Sequence, residues 1–169
     1  MLALATMTTL YELTVINAPI ERCFDLSRSV DVHVLGNVHF DEQAVPLEGS
    51  VSGLLGPGDR VTWQARHFGV RQRLTSQITE FDAPHAFQDT MLRGAFAWMQ
   101  HDHFFRQLPG GPTYMRDVFR YAAPLPVLGL IAEYSILDGY MSALLRERNA
   151  IIKQVAESED WQQYVKRPL

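Results

Sequence analysis

The sequence predicts an α+β protein in which an antiparallel sheet of about seven strands curls around one long C-terminal helix. Three observations predict this architecture. Apolar and polar residues alternate in short runs up to residue 123, as expected for strands with one buried face. Short turn segments rich in glycine and proline separate many of these runs, which implies antiparallel neighbours. After Pro124 the apolar period changes to three or four residues, which is typical of an amphipathic helix.

The N-terminal part is predicted to hold one strand and two short helices. Residues 9–16, "TLYELTVI", are rich in β-branched and aromatic side chains and predict the first strand. Pro19 suits the first turn of a helix whose apolar residues then recur on one side. A second short helix within residues 31–40 is expected to end near Gly36 or Asn37, because both suit the left-handed conformation that follows a helix.

The middle of the chain is predicted to form the remaining strands. The predicted strand runs are residues 41–45, 53–59, 60–68, 70–81, 85–93, 95–108 and 113–123. The "PGGP" stretch between the last two predicts a hairpin that makes those strands neighbours. The terminal helix is expected over residues 126–158, and a helix of about 30 residues is about 45 Å long, enough to lie along a whole curved sheet.

Length, charge and cysteine content restrict the class of protein. The chain has 169 residues, a formal net charge of −4 and one cysteine, Cys23. We expect a single domain over residues 1–169, and the acidic balance argues against a nucleic-acid partner, because nucleic-acid-binding domains usually carry a basic face. A lone cysteine excludes an internal disulfide and suits the cytoplasm. The "MLALATMTTL" start lacks a basic region and about 20 apolar residues, so we expect neither export nor membrane insertion. A monomer or homodimer without a cofactor is expected.

Strand alternation predicts which side chains face inward. In four of the runs, within residues 60–68, 85–93, 95–108 and 113–123, we assign the set of alternate residues that carries more charged or polar side chains to the water side, so the other set faces the interior. The predicted inward residues that could contact a ligand are Trp63, His67, Asp89, Met91, Met99, His101, His103, Phe105, Asp117, Phe119 and Tyr121. These residues combine aromatic and apolar surface with histidines and carboxylates.

The "HDH" stretch raises the question of a metal site. His101 and His103 lie two residues apart on one strand face, where Cα atoms are about 6.6 Å apart and two imidazoles can share a zinc ion. A catalytic zinc ion needs a third protein ligand, which Asp117, Asp89 or His67 could supply only if strand register brings it alongside. No extended ligand motif supports such a site, so the sequence favours no metal there.

Two other interpretations of the same residues stay open. In a catalytic interpretation, His101 or His103 is the general acid or base and Asp117 orients it, an arrangement that could enolise or dehydrate a polyketide-like substrate. In the ordinary structural interpretation, the buried histidines and carboxylates satisfy one another across the sheet. Sequence alone does not distinguish the two.

The whole pattern resembles a known superfamily. The resemblance rests on the first strand, the helix pair opening with "NAPIERCFDL", then "SGLLGPGDRVTWQARHFG", "LTSQITEFDAPHAFQDTMLRGAF", "HDHFF", "GGPTYMRDVFRYAAPLPVLG" and the long terminal helix. These segments resemble the START, birch-pollen-allergen-like and polyketide cyclase superfamily, SRPBCC. They are most similar to a bacterial subgroup labelled cell-division inhibitor, in which a similar domain can precede a nucleotide-sugar epimerase-like domain.

The resemblance implies a helix-grip fold, in which a seven-stranded sheet curls around the last helix with an apolar ligand cavity between them. It implies no single reaction, because members carry lipids, bind hormones, cyclise polyketides or assist other proteins. We therefore expect the chain to bind a small, largely apolar ligand such as a lipid, a polyketide or an aromatic molecule. The alternatives are a cyclase or dehydratase-like enzyme and, third, a protein-interaction module.

Overall fold

The computed structural model describes residues 7–123 and 131–165, which form one curled sheet and four α-helices. The strands are β1 Met7–Ile16, β2 Gln43–Ala44, β3 Arg60–His67, β4 Val70–Asp82, β5 Ala86–Arg93, β6 Trp98–Gln107 and β7 Thr113–Ala122. The α-helices are α1 Ile20–Ser27, α2 Val30–Gly36, α3 Ile131–Glu157 and α4 Trp161–Tyr164, and a 3-10 turn covers Val38–Phe40.

All strand pairs of the sheet are antiparallel, in the order β1-β7-β6-β5-β4-β3-β2. The first strand, β1, pairs with the last strand, β7, so the strands that are farthest apart in the sequence are neighbours in the sheet. The predicted fold class, a seven-stranded antiparallel sheet with a long C-terminal helix, is confirmed.

The two short helices begin within one residue of the predicted positions. Pro19, predicted in the first turn, immediately precedes α1, where its fixed φ and missing N–H are tolerated. The Ser29 hydroxyl caps α2 by accepting a hydrogen bond from the backbone N–H of Val32 at 3.3 Å. The predicted end of α2 is right but the predicted reason is wrong: Asn37 has φ −122°, and the left-handed residue is Asp41 with φ 51°, which ends the 3-10 turn.

Two predicted strands differ from the structure. Residues 53–59 form turns, with one isolated bridge between Leu54 and Ser29, because glycines at left-handed φ interrupt the extended backbone. The run at 41–45 contributes only the two residues of β2. The predicted helix start at residue 126 lies outside the described residues, and the helix ends at Glu157, one residue before the predicted end.

The concave face of the sheet is covered in two regions. One region, called here the aromatic core, contains Phe24 of α1 with Phe81, Phe87 and Phe105 of the strands. The other lies beneath α3, which crosses the same face. Within the described ranges 7–123 and 131–165, none of the helices combines the length and the apolar character needed to cross a bilayer.

Candidate functional site

A cavity of about 460 Å³ lies between the inner face of the sheet and α3. Most of its wall is apolar. The apolar lining includes Trp63, Ala65, Leu74, Met99, Phe119, Met141, Leu144 and Leu145. The strand residues face inward through the alternation of β3, β4, β6 and β7, and the helix residues come from the apolar face of α3. The space is therefore suited to an apolar molecule.

One part of the cavity wall is polar because of strand register. Asp89 of β5 pairs with His101 of β6, and His103 of β6 pairs with Asp117 of β7. Paired residues in antiparallel strands project from the same face, so the four side chains meet on the concave side. Together with Arg148 and Asn149 of α3 they are called here the polar cluster.

Asp117 lies at the centre of the polar cluster and is fully buried. Its Oδ1 accepts hydrogen bonds from His101 Nε2 at 2.9 Å and from Arg148 Nη1 at 3.3 Å, and its Oδ2 accepts one from Asn149 Nδ2 at 2.6 Å. Burial alone would raise the pKa of this carboxyl, but its contacts with His101 and His103 hold the pKa well below its ordinary value. Asp117 is thus an ionised acceptor.

His103 connects Asp117 to Asp89. Its Nε2 donates to Asp89 Oδ2 at 3.1 Å, and its ring stacks on Phe87 at a centroid distance of 4.1 Å. Its Nδ1 lies 2.9 Å from Asp117 Oδ1 but outside hydrogen-bonding angles, so this buried nitrogen has no hydrogen-bond partner. Burial by itself would raise the pKa of Asp89. The hydrogen bond from His103 and the neighbouring charges have the larger, opposite effect, so the pKa lies below its ordinary value.

His101 lines the cavity beside His103, with the two ring centroids 3.9 Å apart. Burial, reinforced by the neighbouring His103, lowers the pKa of His101 to about 4 despite its hydrogen bond to Asp117. The imidazole is therefore neutral at physiological pH and, with Nε2 bonded to Asp117, Nδ1 is the nitrogen with a lone pair.

Arg148 and Asn149 were not predicted as site residues. The signal for Arg148 was present, because it recurs with apolar residues on the inward stripe of α3, where a cation is out of place. Arg148 also donates to the backbone carbonyl of Ser27 at 3.1 Å. A side chain at Gly36 would meet the Cα of Arg148 at 3.2 Å, so this glycine lets α2 approach α3 closely beside Arg148.

A second polar group lines the cavity near β3. The His33 ring stacks on Trp63 at 3.9 Å, and its Nε2 lies 3.3 Å from the Glu42 carboxylate. Burial raises the pKa of Glu42, but His33 lowers it below its ordinary value. His67 Nδ1 is 2.6 Å from the hydroxyl of Tyr140 on α3. Sequence reasoning missed His33 and Glu42. His33 lies on a short helix and Glu42 lies in the predicted strand 41–45, and no inward face was assigned to either.

The predicted inward residues divide into two groups. Seven line the cavity: Trp63, His67, Asp89, Met99, His101, His103 and Phe119. Four lie outside that lining: Met91, Phe105, Asp117 and Tyr121. Phe105 fills the aromatic core, Asp117 lies behind the histidines, and Tyr121 is fully buried and hydrogen-bonded to Asp138. Met91 packs at the edge of the cluster under α3. Facing inward therefore did not guarantee a place on the cavity wall.

The polar cluster contains potential metal ligands. Asp89, His101 and His103 each offer one ligand atom, and these atoms all lie within 4.8 Å of one another. Asp89 is thus the third residue that strand register could bring alongside the two histidines. A carboxylate and two imidazoles can also transfer protons, so the geometry is compatible with binding and with acid–base chemistry.

Comparisons with known proteins bear on the fold. No family model matches the chain, and no curated protein matches it. Among solved structures, the protein TTHA0849 from Thermus thermophilus has a TM-score of 0.67 at 18% identity, covering 89% of this chain and 100% of that one. A START superfamily protein from Mycobacterium smegmatis has a TM-score of 0.67 at 10% identity, covering 88% and 97%.

A plant protein has the same architecture. Ginseng major latex-like protein 151 from Panax ginseng has a TM-score of 0.54 at 15% identity, covering 85% of this chain and 96% of that one. At such identities the likeness concerns the backbone rather than the site. The fold of this chain is the helix-grip fold.

Proposed function

We propose that the protein binds a small, largely apolar ligand with one polar group in the cavity between the sheet and α3. The observation that carries this proposal is the apolar space of about 460 Å³ with a polar patch on one wall. Ligand pockets in proteins commonly measure about 300 to 1,000 Å³ and combine apolar walls with a few polar groups. A lipid, a polyketide or an aromatic molecule belongs to this class.

The polar group of the ligand is proposed to lie against Asp89 and His101. Both side chains line the cavity, whereas Asp117 makes its hydrogen bonds inside the protein. A polar group that is buried without a hydrogen-bond partner costs about 1 to 3 kcal/mol of binding free energy. A ligand placed here therefore has to offer hydrogen-bonding groups to Asp89 and His101. The polar patch thereby selects orientation, and the apolar wall supplies most of the affinity.

The test has two steps. Mass spectrometry of the protein purified under native conditions identifies retained small molecules, and titration with the neutral fluorophore N-phenyl-1-naphthylamine measures occupancy of the apolar space. We expect saturable binding of one fluorophore per chain. Ala65→Phe should fill part of the cavity and weaken fluorophore binding at least about tenfold. A tenfold loss of affinity corresponds to about 1.4 kcal/mol of binding free energy.

Leu92→Phe is the matched control, because this residue on β5 is 42% exposed and lies outside the cavity. It should bind the fluorophore like the unsubstituted protein. Equal affinity of both phenylalanine variants would contradict the proposal, since the fluorophore would then bind somewhere other than the cavity.

A second candidate function is acid–base catalysis of the cyclase or dehydratase type. The observation that favours it is the neutral His101 held by Asp117 on the cavity wall. In this scheme His101 accepts or donates the proton, and Asp117 orients the ring and stabilises the imidazolium that forms. Incubation in D2O of a polyketide-like carbonyl compound with the protein should then place deuterium next to the carbonyl group, and His101→Gln should abolish the exchange. Exchange that survives this substitution would exclude His101 as the base.

Finer assignments are proposed on sequence grounds. We propose a single domain over residues 1–169 that acts in the cytoplasm, as a monomer or homodimer, without nucleic acid as a partner. The support is the net charge of −4 and the lone buried cysteine. Membership of the bacterial subgroup labelled cell-division inhibitor is proposed from the segments quoted above. A protein-interaction role is the third alternative.

A further inference from the structure

We propose that Asp89, His101 and His103 form a binding site for one divalent transition-metal ion. The sequence favoured no metal because a third ligand was not evident beside the two histidines. Strand register supplies it, since Asp89 pairs directly with His101 across β5 and β6. The inference goes beyond ligand binding and does not depend on it.

The donor set and its spacing are the first support. One ligand atom from each of the three residues lies within 4.8 Å of the other two, so small side-chain rotations bring all three to one ion. The His103 Nε2 and Asp89 Oδ2 atoms are already 3.1 Å apart. Two imidazoles and one carboxylate are ligands of catalytic zinc and of non-haem iron(II) sites.

The second support is the carboxylate behind the histidines. Metal-binding histidines usually donate their other ring N–H to a carboxylate or carbonyl, which fixes the ring and its tautomer. Asp117 Oδ1 lies 2.9 Å from His101 Nε2 and 2.9 Å from His103 Nδ1. This leaves His101 Nδ1 and His103 Nε2 for an ion. Asn149 holds the other Asp117 oxygen in place at 2.6 Å.

The position of the His103 ring shows what binding of an ion would change. Its Nε2 donates to Asp89, while its buried Nδ1 has no hydrogen-bond partner. Binding of an ion at Nε2 requires the proton to be on Nδ1. A small ring rotation would then align this N–H with the Asp117 oxygen 2.9 Å away, and two coordination bonds would replace the hydrogen bond to Asp89.

Charge and access also favour an ion. Two carboxylates, Asp89 and Asp117, contact the histidines from either side, and negative charge attracts a cation. The Asp89 side chain is 19% exposed and lines the cavity, which gives an ion a route in. Three protein ligands leave coordination positions for water or for a polar group of a ligand.

The test uses untagged protein that has been stripped with a chelator. Zinc chloride is titrated by calorimetry at neutral pH, and cobalt(II) is added separately to follow its visible absorption, which reports nitrogen and oxygen ligation. We expect one zinc ion per chain, and a cobalt spectrum that zinc abolishes. Asp89→Asn and His101→Gln should each weaken zinc binding at least about 100-fold, because loss of a direct ligand should exceed the effect of losing an outer partner.

His39→Gln is the matched control, since His39 is an exposed histidine outside the polar cluster. It should bind zinc like the unsubstituted protein. NMR of the unsubstituted protein keeps the test independent of variant folding: zinc should shift the ring signals of His101 and His103 and leave those of His39 in place. Zinc binding below one equivalent, equal affinity in Asp89→Asn, or shifts confined to other histidines would each overturn the proposal.

Discussion

The aromatic core and the cavity are built from inward residues of the same strands, yet the first is filled and the second is open. Strand β6 contributes Phe105 to the aromatic core and Met99 to the cavity wall, with His101 and His103 between them. The difference comes from the helices. Phe24 of α1 inserts its ring among the strand aromatics, and the C-terminal end of α3 packs against the same core. The part of α3 from Leu137 to Leu145 spans the rest of the sheet and leaves about 460 Å³ unfilled. Backbone alternation decides which residues face inward, and the covering helix decides whether the space in front of them is filled.

The largest expected contrast comes from removing one phenylalanine in each region. Phe24 is 2% exposed and makes edge contacts with Phe81, Phe87 and Phe105 at centroid distances of 5.3, 5.6 and 5.5 Å. Phe24→Ala should lower the free energy of unfolding by about 3 to 5 kcal/mol. Phe119→Ala should cost at least about 1 kcal/mol less, because one side of that ring already faces open space and lacks partner atoms.

Urea unfolding followed by tryptophan fluorescence and circular dichroism measures both losses. Phe119→Ala should also enlarge the cavity and retain fluorophore binding. Equal destabilisation by the two substitutions would mean that the cavity is closed up in solution, and the contrast between the regions would fail.

The same contrast explains how much the sequence could predict. Alternation correctly predicted the buried face at Trp63, Met99 and Phe119, because period two is a property of the strand backbone. It assigned Phe105 and Asp117 to a ligand site, and the structure places them behind the cavity wall. Which inward residue touches open space depends on where α1 and α3 cross the sheet, and crossing positions depend on contacts between residues distant in sequence.

The polar cluster shows the same limit. The "HDH" spacing is visible in the sequence, but the partners of the histidines come from β5 and β7, 14 and 16 residues away along the chain. The α3 residues that hold Asp117 are 31 and 32 residues away from it. Register across β5 and β6 was not predictable, because no two-residue hairpin links them. The inward position of Arg148 was predictable, because its charged side chain interrupts a stripe of apolar residues on α3.

A smaller contrast is expected from adding volume to each region. Ala156 of α3 is fully buried in the filled region, where Ala156→Phe should overpack the core and lower the unfolding free energy by about 1 to 3 kcal/mol. Ala65 lines the cavity, so Ala65→Phe should change stability by less than about 1 kcal/mol while it excludes the fluorophore. Thermal melting together with fluorophore titration separates the two effects. A large loss of stability in Ala65→Phe would show that no usable space lies in front of this residue.

The smallest expected effect concerns the turn that borders the cavity. Phe68 and Gly69 form the two-residue loop between β3 and β4, with φ of 51° and 78°, which is the pattern of a type I′ turn. Phenylalanine is strained in this conformation by about 1 to 2 kcal/mol, and asparagine adopts it more readily. The Phe68 ring contacts Tyr140 of α3 at a centroid distance of 4.6 Å and lines the cavity. Phe68→Asn should therefore stabilise the hairpin by up to about 1 kcal/mol and speed release of the fluorophore, measured by urea unfolding and stopped-flow displacement.

Phe68→Ala separates turn strain from the ring contact, because alanine keeps the unfavourable positive φ and loses the aromatic ring. If strain dominates the stability, Phe68→Asn should unfold at a higher urea concentration than the unsubstituted protein, and Phe68→Ala should not. If the contact with Tyr140 dominates, both variants should unfold at lower urea concentrations. Faster fluorophore release is expected in both variants, since each opens the edge of the cavity. Unchanged release in both would mean that the fluorophore leaves the cavity by a route that does not pass the Phe68 ring.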